Sequence, residues 1–180
     1  MLQNYNHELS SRAGKLIKSL KGMELRDDGS SRAGLSALRV GLRARDGVCV
    51  ETMPHVAAYL AEFERPQEDR WFFAVATLFA LHPQDQAQRE SLGGAFARLR
   101  QNSDSIEKRF QLLLSCSGDD LFEQLKQIVS LLKANNIPIN WWCLLNDLTQ
   151  HDWDDPEREI QLSWARDFYK TAASKAPQPD

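Results

Sequence analysis

Cysteine is scarce in this sequence, and long apolar runs are missing from it. Its 180 residues contain three cysteines, Cys49, Cys116 and Cys143, which are odd in number and far apart. This argues against a disulfide framework and favours buried thiols in a reducing compartment. No stretch approaches the roughly 20 consecutive apolar residues that span a bilayer, and the first 19 residues lack the apolar segment of a secretory signal. We therefore expect a cytoplasmic protein with no membrane contact.

Strand patterns are scarce as well. Apolar residues recur at helical spacing along most of the chain, and no run of similar length alternates apolar and polar residues as a strand does. β-Branched residues are also sparse. The segment around Trp71–Phe79 is so rich in apolar residues that it predicts a central, mostly buried helix. The large side chains that we expect to be largely buried are Trp71, Phe72, Phe79, Phe110, Leu113, Leu125, Trp142 and Trp164. The sequence predicts an all-α fold of about eight or nine helices.

Helix-ending and helix-starting residues divide the chain. Asp28–Ser30 precedes a helix that we expect near Ser31, Pro66 and Pro83 bracket the aromatic helix, and Asn140 suits an N-cap. A soft boundary near residues 115–119 separates two packed helical bundles, residues 1–116 and 117–175, within one compact unit. Residues 176–180 are expected to form a loose tail.

Motifs for catalysis and cofactor binding are also missing. The sequence has no G-x-S-x-G nucleophile turn, no Gly-rich phosphate loop ending in Lys-Ser or Lys-Thr, and no C-x-x-C or H-E-x-x-H zinc motif. We therefore predict no catalytic residues, no metal and no cofactor. One alternative stays open: the His151-Asp152 doublet is typical of metal-dependent helical phosphohydrolases. It would need further ligands, for which His55 or His82 and Asp167 are available.

Positive charge is not in excess overall, since the formal net charge is −3. It is unevenly distributed, however: residues 1–60 carry nine Lys and Arg against six Asp and Glu, and residues 134–180 carry four against eight. On a helix from Ser31, Arg39 and Arg43 each fall about 20° from Arg32, on opposite sides of it. The spacing predicts a row of guanidinium groups suited to phosphate contacts.

A second basic group flanks Asn102-Ser103, at a junction between two predicted helices. It contains Arg98, Arg100, Lys108 and Arg109. Either group could instead be an ordinary solvated face. If the two groups bind nucleic acid, the predicted contacts are Arg32, Arg39, Arg43, Arg98, Lys108 and Arg109.

A family resemblance extends over roughly residues 28–169. The residues that carry it are Gly29-Ser30…Ala33…Leu35…Leu38-Arg39, Phe79-Ala80-Leu81-His82-Pro83, Ser91-Leu92-Gly93…Ala97, Glu107-Lys108-Arg109…Leu113, Leu121…Leu125…Leu131-Leu132, Ile139…Trp142…Leu145…Asp147-Leu148…Trp153 and Trp164-Ala165…Phe168-Tyr169. In their order and spacing they resemble the small subunit of the type I-E CRISPR complex Cascade, the CasB family.

The resemblance implies a non-catalytic subunit that stabilises the pairing of guide RNA with target DNA and holds the displaced strand of the R-loop in antiviral defence. The implied partners are the other Cascade proteins, the guide CRISPR RNA, the target DNA and a second copy of this chain. Family members tend to carry two adjacent basic residues where Arg39 is here followed by Val40, which moves the expected contact towards Arg43 and Arg32. A protein–protein adaptor without nucleic-acid contact remains the alternative.

Overall fold

The computed structural model describes residues 2–26, 28–61, 66–99, 104–116, 120–150 and 159–173. Within them the chain forms nine α-helices and no strand, so the all-α prediction is confirmed. The helices are α1 (Leu2–Arg26), α2 (Gly29–Val40), α3 (Met53–Val56), α4 (Pro66–Leu81), α5 (Leu92–Ala97), α6 (Asp104–Ser115), α7 (Asp120–Ala134), α8 (Trp141–Gln150) and α9 (Glu159–Ala173). Short 3-10 turns lie at Gly41–Arg43, Arg45–Gly47 and Ala57–Tyr59.

The aromatic helix α4 is the centre of the fold, as its composition predicts. Every residue from Trp71 to Ala80 is buried, because α1, α2, α7 and α8 pack around it. A helix that is apolar on all sides has no solvent-facing stripe, and it is stable in water only when other elements cover it completely.

Local sequence signals place several helix ends. The Asp28 Oδ1 accepts the Ser31 backbone N–H at 2.6 Å, and α2 begins at Gly29, two residues before the expected start. The Asn140 Oδ1 accepts the Cys143 N–H at 2.8 Å and so caps α8 as predicted. Pro66 is the first residue of α4, where its missing N–H is no loss.

One cluster of buried side chains draws on helices from both predicted bundles. The division at residues 116 and 117 therefore stays a prediction.

Seven of the eight large side chains expected to be buried are so. Trp142 is the exception and is only partly buried, because the preceding Trp141 takes the inward position. The Trp142 Nε1 donates to the Ser10 carbonyl at 3.4 Å, and the Arg89 guanidinium lies over the Trp142 ring.

A short joint connects the end of α4 with the segment between α7 and α8. The Ile139 N–H donates to the Gln84 carbonyl and the Gln86 N–H to the Ile139 carbonyl, both at 3.2 Å. Buried His82 donates from Nε2 to the Ile137 carbonyl at 2.8 Å, since a carbonyl oxygen can only accept. Burial lowers the pKa of His82 despite this hydrogen bond.

No described helix has the length and apolar character needed to cross a lipid bilayer.

Candidate nucleic-acid interface

Helix α2 carries Arg32 and Arg39 but ends before Arg43. The helix stops at Val40 and the chain enters the 3-10 turn Gly41–Arg43. A Cβ on Gly41 would lie 2.6 Å from the Thr77 Oγ1 of α4, so the turn is held tightly against that helix. The prediction of three arginines on one helical face was therefore wrong for Arg43, because the 100° spacing does not continue through this turn.

Arg39 has a structural contact as well as an exposed position. Its Nε donates to the Ala80 carbonyl at 2.7 Å. Ala80 is in the last turn of α4, where carbonyl groups lack intrahelical partners and the helix dipole favours a cation. This bond fixes the guanidinium at the end of α4. Because a guanidinium has five N–H donors in a planar fork, one such bond does not exhaust its capacity to bind an anion.

Lys126 of α7 joins this region to the C-terminal half of the chain. Its Nζ donates to the Leu42 carbonyl at 2.9 Å, within the turn that carries Arg43. It also pairs with Glu123 at 2.6 Å and lies 5.0 Å from the centroid of the Phe122 ring. Lys126 thus places a positive charge beside Arg43 across 84 residues of sequence.

The exposed face of α7 continues this positive charge. Lys126, Ser130 and Lys133 are spaced at i, i+4 and i+7, which puts them on one side of a helix. Lys133 is exposed in the last turn and lies close enough to His82 for its charge to contribute to the lowered pKa of that imidazole. The sequence analysis missed both lysines, although the helical spacing that groups them is visible in the sequence.

Helix α6 contributes Lys108 and Arg109, both exposed. Arg109 borders a shallow groove of about 380 Å³ between α6 and α7. The groove is lined by Arg109, Glu123, Lys126, Gln127, Ser130 and Leu131. We call Arg39, Arg43, Arg109, Lys126 and Lys133 the basic surface. Three segments that are far apart in sequence contribute to it.

Arg98 has a different environment. Its Nη2 forms an ion pair with Glu90 and a hydrogen bond to the Gln86 Oε1 at 2.9 Å. A carboxylate in contact reduces its attraction for phosphate, as Glu123 does for Lys126. Arg32 is exposed at the start of α2, two turns before Arg39. The contacts described above do not bring either arginine into the basic surface, and Arg100 lies outside the described residues.

A second cavity, of about 390 Å³, lies where α5, α8 and α9 meet. Three carboxylates line it. Glu90 is paired with Arg98, the Asp147 Oδ2 accepts the Trp164 Nε1 hydrogen at 2.7 Å, and the Asp167 Oδ2 accepts the Ser91 hydroxyl at 2.6 Å. No group of three or more possible metal ligands occurs among the residues that the structure describes. The His151-Asp152 doublet lies outside them. Of its proposed partners, Asp167 is bonded to Ser91 and His82 to a backbone carbonyl.

The Asp147 carboxyl makes the stability of the fold depend on pH. Burial raises its pKa from 3.8 to about 6, the charge of Asp167 adds to this, and the Trp164 hydrogen bond opposes it. The folded state therefore binds the proton of the Asp147 carboxyl more tightly than the unfolded chain does. Below about pH 4 the carboxyl is protonated in both states and costs no stability. As the pH rises through about 6, ionisation of the buried carboxyl lowers the free energy of unfolding.

We predict that Asp147→Asn, which keeps an oxygen acceptor for Trp164, stabilises the protein at pH 7.5 by on the order of 1–3 kcal/mol. The gain should shrink by at least half at pH 4.5. Urea unfolding of both proteins at pH 7.5, 6 and 4.5 measures it, with Glu51→Gln as an exposed control. A gain that is the same at every pH would contradict this assignment.

Residues 34–169 match the family of CRISPR-associated protein Cse2. They include all of the basic surface and every residue that lines the groove and the second cavity except Lys170. The chain belongs to the Cse2 family. It is 35% identical over 144 residues to CRISPR-associated protein Cse2 of Thermus thermophilus, a match that covers 79% of this chain and 82% of that protein. The resemblance seen in the sequence is thereby confirmed.

Solved Cse2 and CasB structures have the same fold. A Cse2-family protein from Thermus thermophilus superposes with a TM-score of 0.75 at 32% identity, covering 88% of this chain and 97% of that one. CasB from M. ruber gives 0.72 at 29% identity, covering 91% and 96%. A chain of a CRISPR RNA-guided surveillance complex gives 0.71 at 26% identity, covering 92% and 96%.

Proposed function

We propose that this chain is the non-catalytic small subunit of a cytoplasmic CRISPR RNA-guided surveillance complex. In that complex it binds the backbone phosphates of the guide RNA–target DNA hybrid and of the displaced strand, and so stabilises the R-loop. Membership of the Cse2 family and the likeness to a chain of a surveillance complex support the assembly. The other Cascade proteins, the guide RNA, the target DNA and a second copy of the chain are the proposed partners.

One observation supports phosphate binding more than any other: the Lys126 bond to the Leu42 carbonyl. It brings α7 against the turn that carries Arg43, so that cations from separate segments form one surface. Contacts of Arg and Lys side chains with the phosphate backbone of a nucleic acid do not depend on its base sequence. That suits a subunit whose target changes with every guide, because base pairing with the guide already reads the sequence.

The affinity of the isolated chain for nucleic acid should be low. Its net charge is −3, and Glu123 beside Lys126 reduces the local positive charge. Within a complex, neighbouring subunits hold the chain next to the nucleic acid, which raises its effective concentration there. The proposed function is therefore one that the chain performs only as part of an assembly.

A charge-reversal experiment tests the basic surface. Arg43 and Arg109 are both exposed, so changing them should leave the fold intact. We expect complexes with Arg43→Gln/Arg109→Gln to lose about two units of salt slope in target-DNA binding, about one for each lost phosphate contact. Arg43→Glu/Arg109→Glu should weaken binding about 10- to 100-fold, because repulsion is added to the lost attraction.

The matched control is Lys15→Glu/Arg166→Glu, which makes the same change in net charge at exposed positions on α1 and α9. The measurement is target-duplex affinity at several salt concentrations, for complexes with a matched guide. Normal assembly together with unchanged affinity and salt slope in the Arg43/Arg109 variants would favour the adaptor alternative. A control that weakens binding equally would show that net charge, and not the basic surface, is responsible.

A further inference from the structure

The ammonium group of Lys126 is engaged inside the protein. Its Nζ donates to the Leu42 carbonyl at 2.9 Å, lies 2.6 Å from the Glu123 Oε1, and is 5.0 Å from the centroid of the Phe122 ring. An ammonium group has three N–H donors, and here a carbonyl and a carboxylate oxygen already lie within reach of them. Only 21% of the side chain is exposed. A phosphate would have to compete with both oxygens for this group.

Arg43 is placed differently, since it is exposed to solvent. It follows Leu42 directly, so the carbonyl that accepts the Lys126 hydrogen belongs to the peptide group that joins Leu42 to Arg43. A hydrogen bond to that peptide group restricts its rotation. It thereby restricts the direction in which the Arg43 side chain leaves the backbone.

The turn Gly41–Arg43 is held from two sides. On one side Gly41 lies so close to α4 that a Cβ there would be 2.6 Å from the Thr77 Oγ1. On the other side Lys126 reaches the turn from α7, whose inner face is part of the core. Since α4 and α7 are both anchored in the core, the bond from Lys126 fixes the turn relative to the rest of the protein.

We infer that Lys126 is a positioning residue, which holds the turn so that Arg43 meets the phosphate backbone and does not bind phosphate itself. The inference rests on the proposed function, in which Arg43 is a phosphate contact. A turn that is free to move loses backbone entropy when its arginine binds, whereas a turn that is already fixed does not. Lys126 therefore strengthens the contact of Arg43 without taking part in it.

Removing the ion pair tests this role without a change in net charge. Glu123→Gln/Lys126→Met removes the ammonium group together with its carboxylate, and the flexible methionine side chain still packs beside the Phe122 ring. We expect complexes with this paired variant to bind target DNA about 3- to 10-fold more weakly. In complexes that also carry Arg43→Gln, the same pair of changes should alter affinity less than about two-fold and leave the salt slope unchanged, because the arginine to be positioned is gone.

Two controls have the same role in mind. Arg109 is exposed on α6, outside the turn, so in the Arg109→Gln background the paired variant should still weaken binding about 3- to 10-fold. Lys126→Arg has the same net charge as the paired variant but keeps a donor for the Leu42 carbonyl, and it should recover most of the lost affinity.

Hydrogen exchange of the free chain tests the restraint without nucleic acid. The Ala44 N–H donates to the Gly41 carbonyl at 3.0 Å and closes the turn. In the paired variant this amide should exchange at least about five-fold faster than in wild type. The amides of α9 should exchange at the wild-type rate, which also shows that the variant is folded.

The outcomes separate the inference from the proposed function. An equal loss of affinity in the Arg43→Gln and Arg109→Gln backgrounds would overturn the inference, and a lower salt slope in the first would identify Lys126 as a phosphate contact. Unchanged target binding by the paired variant, or unchanged exchange at Ala44, would overturn it as well. If Arg43→Gln alone leaves affinity and salt slope unchanged, Arg43 is not a phosphate contact, and the proposed function fails together with the inference.

Discussion

Replacing Phe110 by alanine is expected to lower the free energy of unfolding by about 3–5 kcal/mol. Phe110 is fully buried on α6, where it stacks on Phe168 of α9 with ring centroids 4.1 Å apart and lies 5.9 Å from Phe96 of α5. Removing the ring loses its transfer free energy and leaves a cavity that the stacked neighbours cannot easily fill. Because Arg109 adjoins Phe110 on α6, we also expect the variant to weaken the target-DNA binding proposed above.

Urea unfolding monitored by circular dichroism measures this effect. Leu112→Ala is the control on the same helix, because Leu112 is 49% exposed and its truncation should cost less than about 1 kcal/mol. If Phe110→Ala and Leu112→Ala destabilise equally, the aromatic cluster does not join α5, α6 and α9 in the way described.

The second large effect is expected from the smallest change, Gly93→Ala. A Cβ at Gly93 would lie 2.1 Å from the Trp164 carbonyl oxygen and 2.8 Å from its Cα, which are backbone atoms of α9. Since backbone cannot move aside as a flexible side chain can, α5 and α9 would have to separate. We expect a loss of about 3 kcal/mol, at the upper end of what overpacking costs.

Gly22→Ala is the opposite case and the control. Gly22 lies inside α1, and a Cβ there would meet nothing nearer than the Arg26 Nη2 at 3.7 Å. Alanine in a helix interior is favoured over glycine by about 0.5–1 kcal/mol, so this variant should be more stable than wild type. A neutral Gly93→Ala would mean that α5 and α9 do not pack as closely as this contact requires.

The sequence contains enough to predict most of the fold. The apolar run of α4 could only be stable if it was covered on all sides, and the caps at Asp28 and Asn140 bond to nearby backbone groups. These are local effects, which depend on residues a few positions apart. Trp142 shows the limit of this reasoning, since Trp141 and Trp142 point about 100° apart on α8 and the sequence does not say which of them takes the inward position.

The basic surface was only partly predictable for the same reason. Arg43 leaves the helical row where the chain turns at Gly41, which lies close to Thr77 of α4. This closeness joins distant positions, and no local pattern reveals it. The basic residues near Arg98 in the sequence make it a candidate for phosphate binding, but in the structure it is paired with Glu90. Lys126 and Lys133 share a helix face, yet the same spacing is common on solvated helices. Only the contact of Lys126 with Leu42 distinguishes them.

The bond between Lys126 and Leu42 also has a consequence for the newly made chain. Its two partners are separated by 84 residues, which at about 5–20 residues per second takes roughly 4–17 s to synthesise. During that time Arg39 and Arg43 have left the ribosome without the lysines of α7. Until then the nascent chain has only part of the proposed phosphate-binding surface, and the full set of cations comes together only when α7 has been made and has docked.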